Sequence, residues 1–171
     1  SEITGAIIGS VVPPVTSLMR EAIRKVTGQE ALVVNVDMNI GLEVLMDNPS
    51  SVGTDLIVGA VAGINRYPVP LILIDMGTAT TICVVNENKQ YIGIGVSMNS
   101  LTSRTAQLPR ISLDPPKRLI GKNTVECMQS GALYGNASCI DGMVDRIEEE
   151  LGQKATVVAT GGLARKIIPL C

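Results

Sequence analysis

No histidine, tryptophan or phenylalanine occurs anywhere in the 171 residues, and three tyrosines are the whole aromatic content. Without histidine, Ser-His and Cys-His catalysis and His-ligated zinc are excluded, as is any Phe-lined or Trp-lined pocket. Charge of one sign is also lacking: 14 basic residues against 16 acidic ones leave a formal net charge of −2. With no Lys/Arg stripe interleaved with aromatics, nucleic acid is not the expected partner. The four cysteines, Cys83, Cys127, Cys139 and Cys171, lie far apart and form no paired metal-ligand spacing, so free and mostly buried thiols are expected. Apolar residues make up 46% of the chain. Even so, Gly, Pro or Asp breaks every apolar run well before the roughly 18 residues of a membrane span, and no membrane partner is expected. The first residues, "SEITGAIIGSVVPP", show no basic region followed by an apolar block and a small-residue cleavage site, which implies a cytoplasmic protein.

What is present reads as alternating α and β segments. The length suits one domain or two small lobes with a substantial core. "ITGAIIGSVV" is a β-rich run. "PPVTSLMREAIRKVTG" follows, with prolines at a helix start and Gly28 at its exit. "ALVVNV" is a second buried strand, and Ser50 or Ser51 is placed to cap a helix from about Val52 to Asn65. Leu71 to Ile74 is a buried strand on which Thr80 to Val85 folds back, and "NENK" turns the chain into a third antiparallel strand near Gln90 to Gly95. A short helix is expected from Ser97 to about Gln107, then a proline-rich loop. Apolar and small residues recurring at spacings of three and four from Val125 through Met128, Ala132, Gly135, Cys139 and Met143 to Leu151 predict a long one-sided helix. Its small residues, Gly131, Ala132, Gly135, Ala137 and Ser138, fit either helix-on-sheet packing or the close approach of a second helix in a homodimer. "ATVVATGG" closes as a strand ending at Gly161 and Gly162 ahead of another helix.

Four segments carry candidate chemistry. In "IDMGTATTICVV" the strand is expected to end at Asp75, with Gly77 easing a turn in which the amides and hydroxyls of Gly77, Thr78, Ala79 and Thr80 converge on a phosphate. Asp75 would add a cation ligand. The plain alternative is a hairpin whose Asp and Thr side chains only satisfy turn amides. "ATGG" lets a planar ring lie against bare backbone at Gly161 and Gly162, with a helix N-terminus facing an anion. Asp55, in the first turn of its predicted helix, either complements the helix dipole or orients a substrate hydroxyl and accepts its proton. Phosphoryl transfer depends more on such positioning than on a strong base. Thr124 in "IGKNTVECMQSG" is a helix cap or a substrate contact.

In order along nearly the whole chain, "SVVPPVTSL", "DNPSSVGTD", "IDMGTATT", "RTAQLPRI", "IGKNTVECMQSG" and "VVATGGLA" resemble the type III pantothenate kinase family, the Bvg accessory factor-like proteins. The resemblance implies an α/β protein of the actin-like, sugar-kinase and Hsp70-like ATPase superfamily. Its lobes are duplicated and ribonuclease-H-like, with mixed sheets flanked by helices and ATP between them. It further implies a homodimer with pantothenate bound at the subunit interface, and dependence on magnesium and on a monovalent cation, potassium or ammonium. On this resemblance Asp55 is the proton acceptor, Gly53, Thr54, Asp55, Leu56 and Thr124 meet the substrate, and Asp75 holds the monovalent cation. Gly77, Thr78, Ala79 and Thr80 contact ATP, and Gly161 and Gly162 its adenosine side.

Residues 1–66 would be the remainder of an N-terminal lobe and 67–171 a C-terminal lobe shortened at its end. The family's opening Asp-x-Gly-Asn-Thr phosphate motif has no counterpart here. Two further departures fall near the presumed substrate. Leu56 stands where the family has arginine and Met46 where it has tyrosine, and loss of a guanidinium weakens recognition of a carboxylate. A regulatory nucleotide-binding relative, or a kinase for another small hydroxylated acid, are the alternatives.

Overall fold

A computed structural model describes residues 3–36, 38–77, 79–97 and 112–171. The expected helix from Ser97 to Gln107 lies almost wholly outside the described residues. The N-terminal part is a β-α-β unit: β1 (Ala6–Ile8), α1 (Pro13–Thr27) and β2 (Ala31–Val33), with β1 and β2 parallel. Pro13 and Pro14 open α1, where the missing N–H groups cost nothing. Gly28 closes it at φ 70, its amide donating to the Arg24 carbonyl at 3.0 Å. No residue of α1 is buried, and Ile7 and Leu32, side by side in the parallel register, are both exposed.

The larger sheet has the order β3-β6-β5-β4-β7. Its centre is the expected antiparallel meander of β4 (Leu71–Met76), β5 (Thr80–Val85) and β6 (Gln90–Ser97). The β5–β6 turn is tied by Asn86, whose Oδ1 accepts the amides of Asn88 and Gln90, both at 3.0 Å. Two strands lie outside that meander. β3 (Glu43–Val44), in what reads as a polar loop in the sequence, pairs parallel with the start of β6, and β7 (Thr156–Thr160) pairs parallel with β4.

Alternation along β4 sends Leu71, Leu73 and Asp75 to one face and Ile72, Ile74 and Met76 to the other. On the first face α2 (Thr54–Ile64) packs through Ile57, Ala60 and Ile64 in one core cluster with Leu71, Cys83, Val85 and Tyr91. Gly63 lets it settle closely, since a Cβ there would lie 2.7 Å from Leu71 Cδ2. On the second face α3 (Thr124–Leu151) buries Leu133, Ala137 and Ile140 against Ile72, Ile74, Met76 and the short α4 (Ala164–Ile167). This mixed α/β sheet, covered by helices on both faces, is the expected fold class in its general form.

The long helix does pack on the sheet, but its buried stripe is Ser130, Leu133, Ala137 and Ile140, offset from the predicted one. Val125, Gly135 and Cys139 are exposed. Of the cysteines only Cys83 is buried, so the expectation of mostly buried thiols is corrected. α2 begins at Thr54 with Gly53 at its cap position and no side-chain cap. Ser50 and Ser51 lie instead in a preceding 3-10 turn, with Ser51 Oγ donating to the Asn48 carbonyl at 2.6 Å.

Candidate active site

Asp55 stands in the first turn of α2, exposed, where the helix dipole favours a carboxylate. Gly53 makes room for it: a Cβ at 53 would strike Asp55 Oδ1 and lie 3.4 Å from Val11 Cγ1. Val11, in the "SVVPP" segment, therefore lies beside this end of α2. Leu56 and Met46 pack against the core cluster beneath the helix.

Asp75 lies on the same sheet face as Leu73 and Cys83. Its cross-strand neighbours on that face are Thr81 on β5 and Thr160 on β7. The strand continues one residue past Asp75 to Met76. Thr80 pairs with Met76 and so belongs to the α3 face, whereas Thr81 shares the Asp75 face. Gly77 does not adopt a positive φ, and a Cβ there would sit 3.8 Å from its nearest neighbour, so the turn does not require glycine. Its amide donates to the Ala79 carbonyl at 3.2 Å and is committed within the turn. Thr78 lies outside the described residues.

The glycine pair after β7 reaches the same place. Gly161 has φ 95, and a Cβ on it would lie 2.6 Å from both Met76 C and O, so here glycine is required. Leu163 N–H donates to the Met76 carbonyl at 3.3 Å, locking the turn over the end of β4. Gly162 faces open space. Asp75, Gly77, Ala79, Gly161 and Gly162 thus meet at one end of β4 and β7.

Cys83 links the two carboxylates. Burial pushes its thiol pKa up, the hydrogen bond from Tyr91 opposes that, and the charges of both Asp55 and Asp75 raise it further. Both acids therefore act on one buried thiol, Asp55 from α2 and Asp75 from the sheet. Tyr91, fully buried, donates to Cys83 Sγ at 3.2 Å. Its phenol pKa is raised by burial first, then by the bond to Cys83, with the Asp55 charge adding to both. Cys83, read in the sequence only as a free thiol, was not placed at the site, and neither were Tyr91 or Thr81. Only the pairing of β5 with β6 brings the first two together.

Among the described residues two buried hydroxyls have no partner, Thr54 Oγ1 next to Asp55 and Thr81 Oγ1 next to Asp75. An orphaned hydroxyl beside an exposed carboxylate suits a hard cation that takes oxygen ligands. The Thr81, Asp75 and Thr160 row sets such oxygen donors side by side. No group of three His, Cys, Asp or Glu side chains is placed to hold a metal among the described residues, so magnesium has no protein-only cage in them. Thr124 is the first residue of α3, on the far face of the sheet from α2. The capping role falls to Asn123, whose Oδ1 accepts the Glu126 amide at 2.9 Å.

The chain is similar to the type III pantothenate kinase of Bacillus cytotoxicus, at 46% identity over 172 residues, covering 97% of this chain and 66% of that relative. It spans, that is, just under two thirds of the relative's length. A crystal structure from Campylobacter jejuni, assigned to the Baf family of transcriptional activators, matches with a TM-score of 0.52 at 14% identity, over 100% of this chain and 74% of that one. At that identity the likeness concerns the fold. No described helix is long and apolar enough to cross a membrane. The family profile of type III pantothenate kinases matches residues 1–146, most of the chain, and the chain belongs to that family.

Proposed function

We propose that the protein is an ATP-dependent cytoplasmic kinase that phosphorylates the terminal hydroxyl of pantothenate. The product is 4'-phosphopantothenate, in the first step of coenzyme A biosynthesis. The observation that carries this reading is that Asp55 stands in the first turn of the helix packed on the sheet face that carries Asp75. Family membership supplies the reaction class.

In this reading Asp55 orients the acceptor hydroxyl and takes its proton as the phosphoryl group departs from ATP. Positioning, more than basicity, drives such a transfer. Gly53, Thr54 and Leu56 shape the acceptor side. Asp75, with Thr81 and Thr160, would hold potassium or ammonium, which supplies fixed positive charge near the nucleotide's phosphates. Magnesium would enter with those phosphates. Gly77, Thr78, Ala79 and Thr80 line the phosphate side, and Gly161 and Gly162 the adenosine side.

Thr124 heads the helix on the opposite sheet face from Asp55, which suits a homodimer in which one protomer's Thr124 meets the substrate held by the other. The two ribonuclease-H-like lobes would divide near residue 66, with α2 packed on the second. Potassium-dependent ADP release, measured with and without pantothenate, tests the proposal: stimulation by pantothenate supports it, and ATP binding without stimulation defeats it.

One observation favours a second reading. Leu56 and Met46 both pack on the core cluster and present no cation to an acidic acceptor. A kinase for another hydroxylated acid would be stimulated by that acid and not by pantothenate, and a regulatory relative by neither.

A further inference from the structure

Tyr91 is a fully buried titratable residue for which the proposed reaction has no use. Its hydroxyl is bonded to a thiol, a weak acceptor, at 3.2 Å. Phenylalanine would fill the same space without burying a polar group, so packing alone does not account for the hydroxyl. The backbone of Tyr91 is also engaged. Its carbonyl accepts the Leu45 N–H at 2.8 Å, just after the β3 pairing of Val44 with Tyr91. From Leu45 the chain runs through Met46 and the 3-10 turn Pro49–Ser51 to the start of α2. Val52 and Ile57, on either side of Asp55 in sequence, are members of the Tyr91 cluster. The segment that presents Asp55 is therefore held at its start by the Tyr91 backbone and at its end by the cluster around the Tyr91 ring.

We propose that Tyr91 is a positioning residue for Asp55: bonded to Cys83 through its side chain and to Leu45 through its carbonyl, it fixes the segment that carries the carboxylate. The proposal rests on the reading of Asp55 as proton acceptor. The hydroxyl-thiol bond sets where the ring sits between β5 and β6, and the ring in turn sets the height of the first turn of α2. Cys83 shares that cluster with Val52 and Ile57, so the bonded pair and the two residues that flank Asp55 pack as one group.

The test compares Y91F, C83A, C83S, the Y91F/C83A double variant and D55N in the whole protein, by steady-state ADP release, ATP affinity and thermal unfolding. Y91F and C83A should each lower kcat roughly tenfold, as a sub-ångström displacement of a catalytic group does, with ATP affinity unchanged. C83S, whose hydroxyl again accepts from Tyr91, should restore the rate. The double variant should be no slower than either single one, because all three lack the same bond. A purely structural role would lower Tm and leave kcat per folded molecule alone. Loss of turnover in D55N together with wild-type kcat in Y91F and C83A overturns the positioning role by itself. Full turnover in D55N overturns the Asp55 reading and this proposal with it.

Discussion

Gly53 and Gly161 are both glycines that a Cβ would crowd, yet substitution at each should fail in a different way. At Gly53 the nearest obstacle is Asp55 Oδ1, the end of a short rotatable side chain, and the backbone, at φ −60 and ψ 136, is open to any residue. Gly53→Ala therefore leaves the fold in place and costs about 0.5–1 kcal/mol, the deficit of alanine at a helix N-cap. For a chain of this size that lowers Tm by roughly 1–4 °C. The carboxylate, however, must swing away by about 1 Å, and a displacement of that order costs on the order of 10²-fold in rate. At Gly161 the obstacles are Met76 C and O, each at 2.6 Å, and φ is 95. No side-chain rotation relieves that clash, so Gly161→Ala should lose about 3 kcal/mol or more from backbone strain combined with displacement of β4 from β7. Thermal unfolding and ADP release measured on both variants give a crossed pattern: activity lost with the fold kept at 53, and the fold lost at 161. A Gly53→Ala protein that keeps kcat within twofold of wild type would refute the placement of Asp55 as the reacting carboxylate.

Thr81→Val removes an unpartnered buried hydroxyl, so Tm should rise by the equivalent of about 1 kcal/mol in cation-free buffer. Potassium stimulation of ADP release should fall in the same variant, and unchanged stimulation would remove Thr81 from the cation site. Glu148 has its pKa lowered by the hydrogen bond from Lys154 and then by the Ala155 amide, tying the end of α3 to the start of β7. A depressed carboxyl pKa stabilises the fold above the unfolded value and loses that contribution as pH falls through the folded one. Glu148→Gln should accordingly melt earlier than wild type at neutral pH, with the gap closing in acid. Finally, a thiol reagent should reach Cys127, Cys139 and Cys171 in the native protein and Cys83 only after denaturation, since Cys83 is buried and its thiol pKa is raised. Peptide mapping of the labelled protein checks this.

Elements marked by local chemistry were legible in the sequence. Pro13 and Gly28 bracket α1, and Asn86 sets the β5–β6 turn. Two apolar runs, Leu71 to Ile74 and Thr80 to Val85, separated by a polar turn announce the β4–β5 hairpin. These are short-range effects of φ restriction, side-chain capping and pleat. What depended on distant pairing was not legible. β3 is two residues long and exists only because Glu43 and Val44 find Gln90 and Tyr91. α3 carries small or apolar residues on several sides along 28 residues, so periodicity predicted a helix without deciding which face meets the sheet. The assignment of a turn role to Gly77 came from residue type alone, whereas Gly161 is the glycine whose backbone conformation demands it. At the candidate site, Asp55, Asp75 and the glycine pair could be singled out because polar residues interrupt apolar runs. Cys83 and Tyr91 could not, because each reads as an ordinary strand residue until the register between β5 and β6, with its irregularity at Val84 and Val85, brings them into contact.

That register also explains why a polar knot sits inside a strand built for the core. On the α2 face the rows Val85–Leu71–Thr156 and Cys83–Leu73–Val158 lie under the helix, and the next row is Thr81–Asp75–Thr160. The face turns polar two residues further along the strands, where Asp75 is already exposed and Asp55 begins the covering helix. Cys83 belongs to the last covered row, and so it feels both carboxylates. Leu56 and Met46 extend the covered, apolar side of this boundary and not its polar side. The polar side keeps Asp75 with the unpartnered Thr81 hydroxyl in its row, Asp55 at the start of the covering helix and the Gly161 turn, a set suited to a cation and a phosphorylated ligand. The described ion pairs engage Arg20, Arg24, Lys25, Arg118, Lys154 and Lys166 with carboxylates other than Asp55 and Asp75. Neither carboxylate is engaged in these pairs, and with the unpartnered Thr81 hydroxyl in the Asp75 row that leaves oxygen donors for a bound cation; in the proposed reaction, omission of the monovalent cation should therefore lower the rate, and a rate unchanged without it would remove Asp75 from that role.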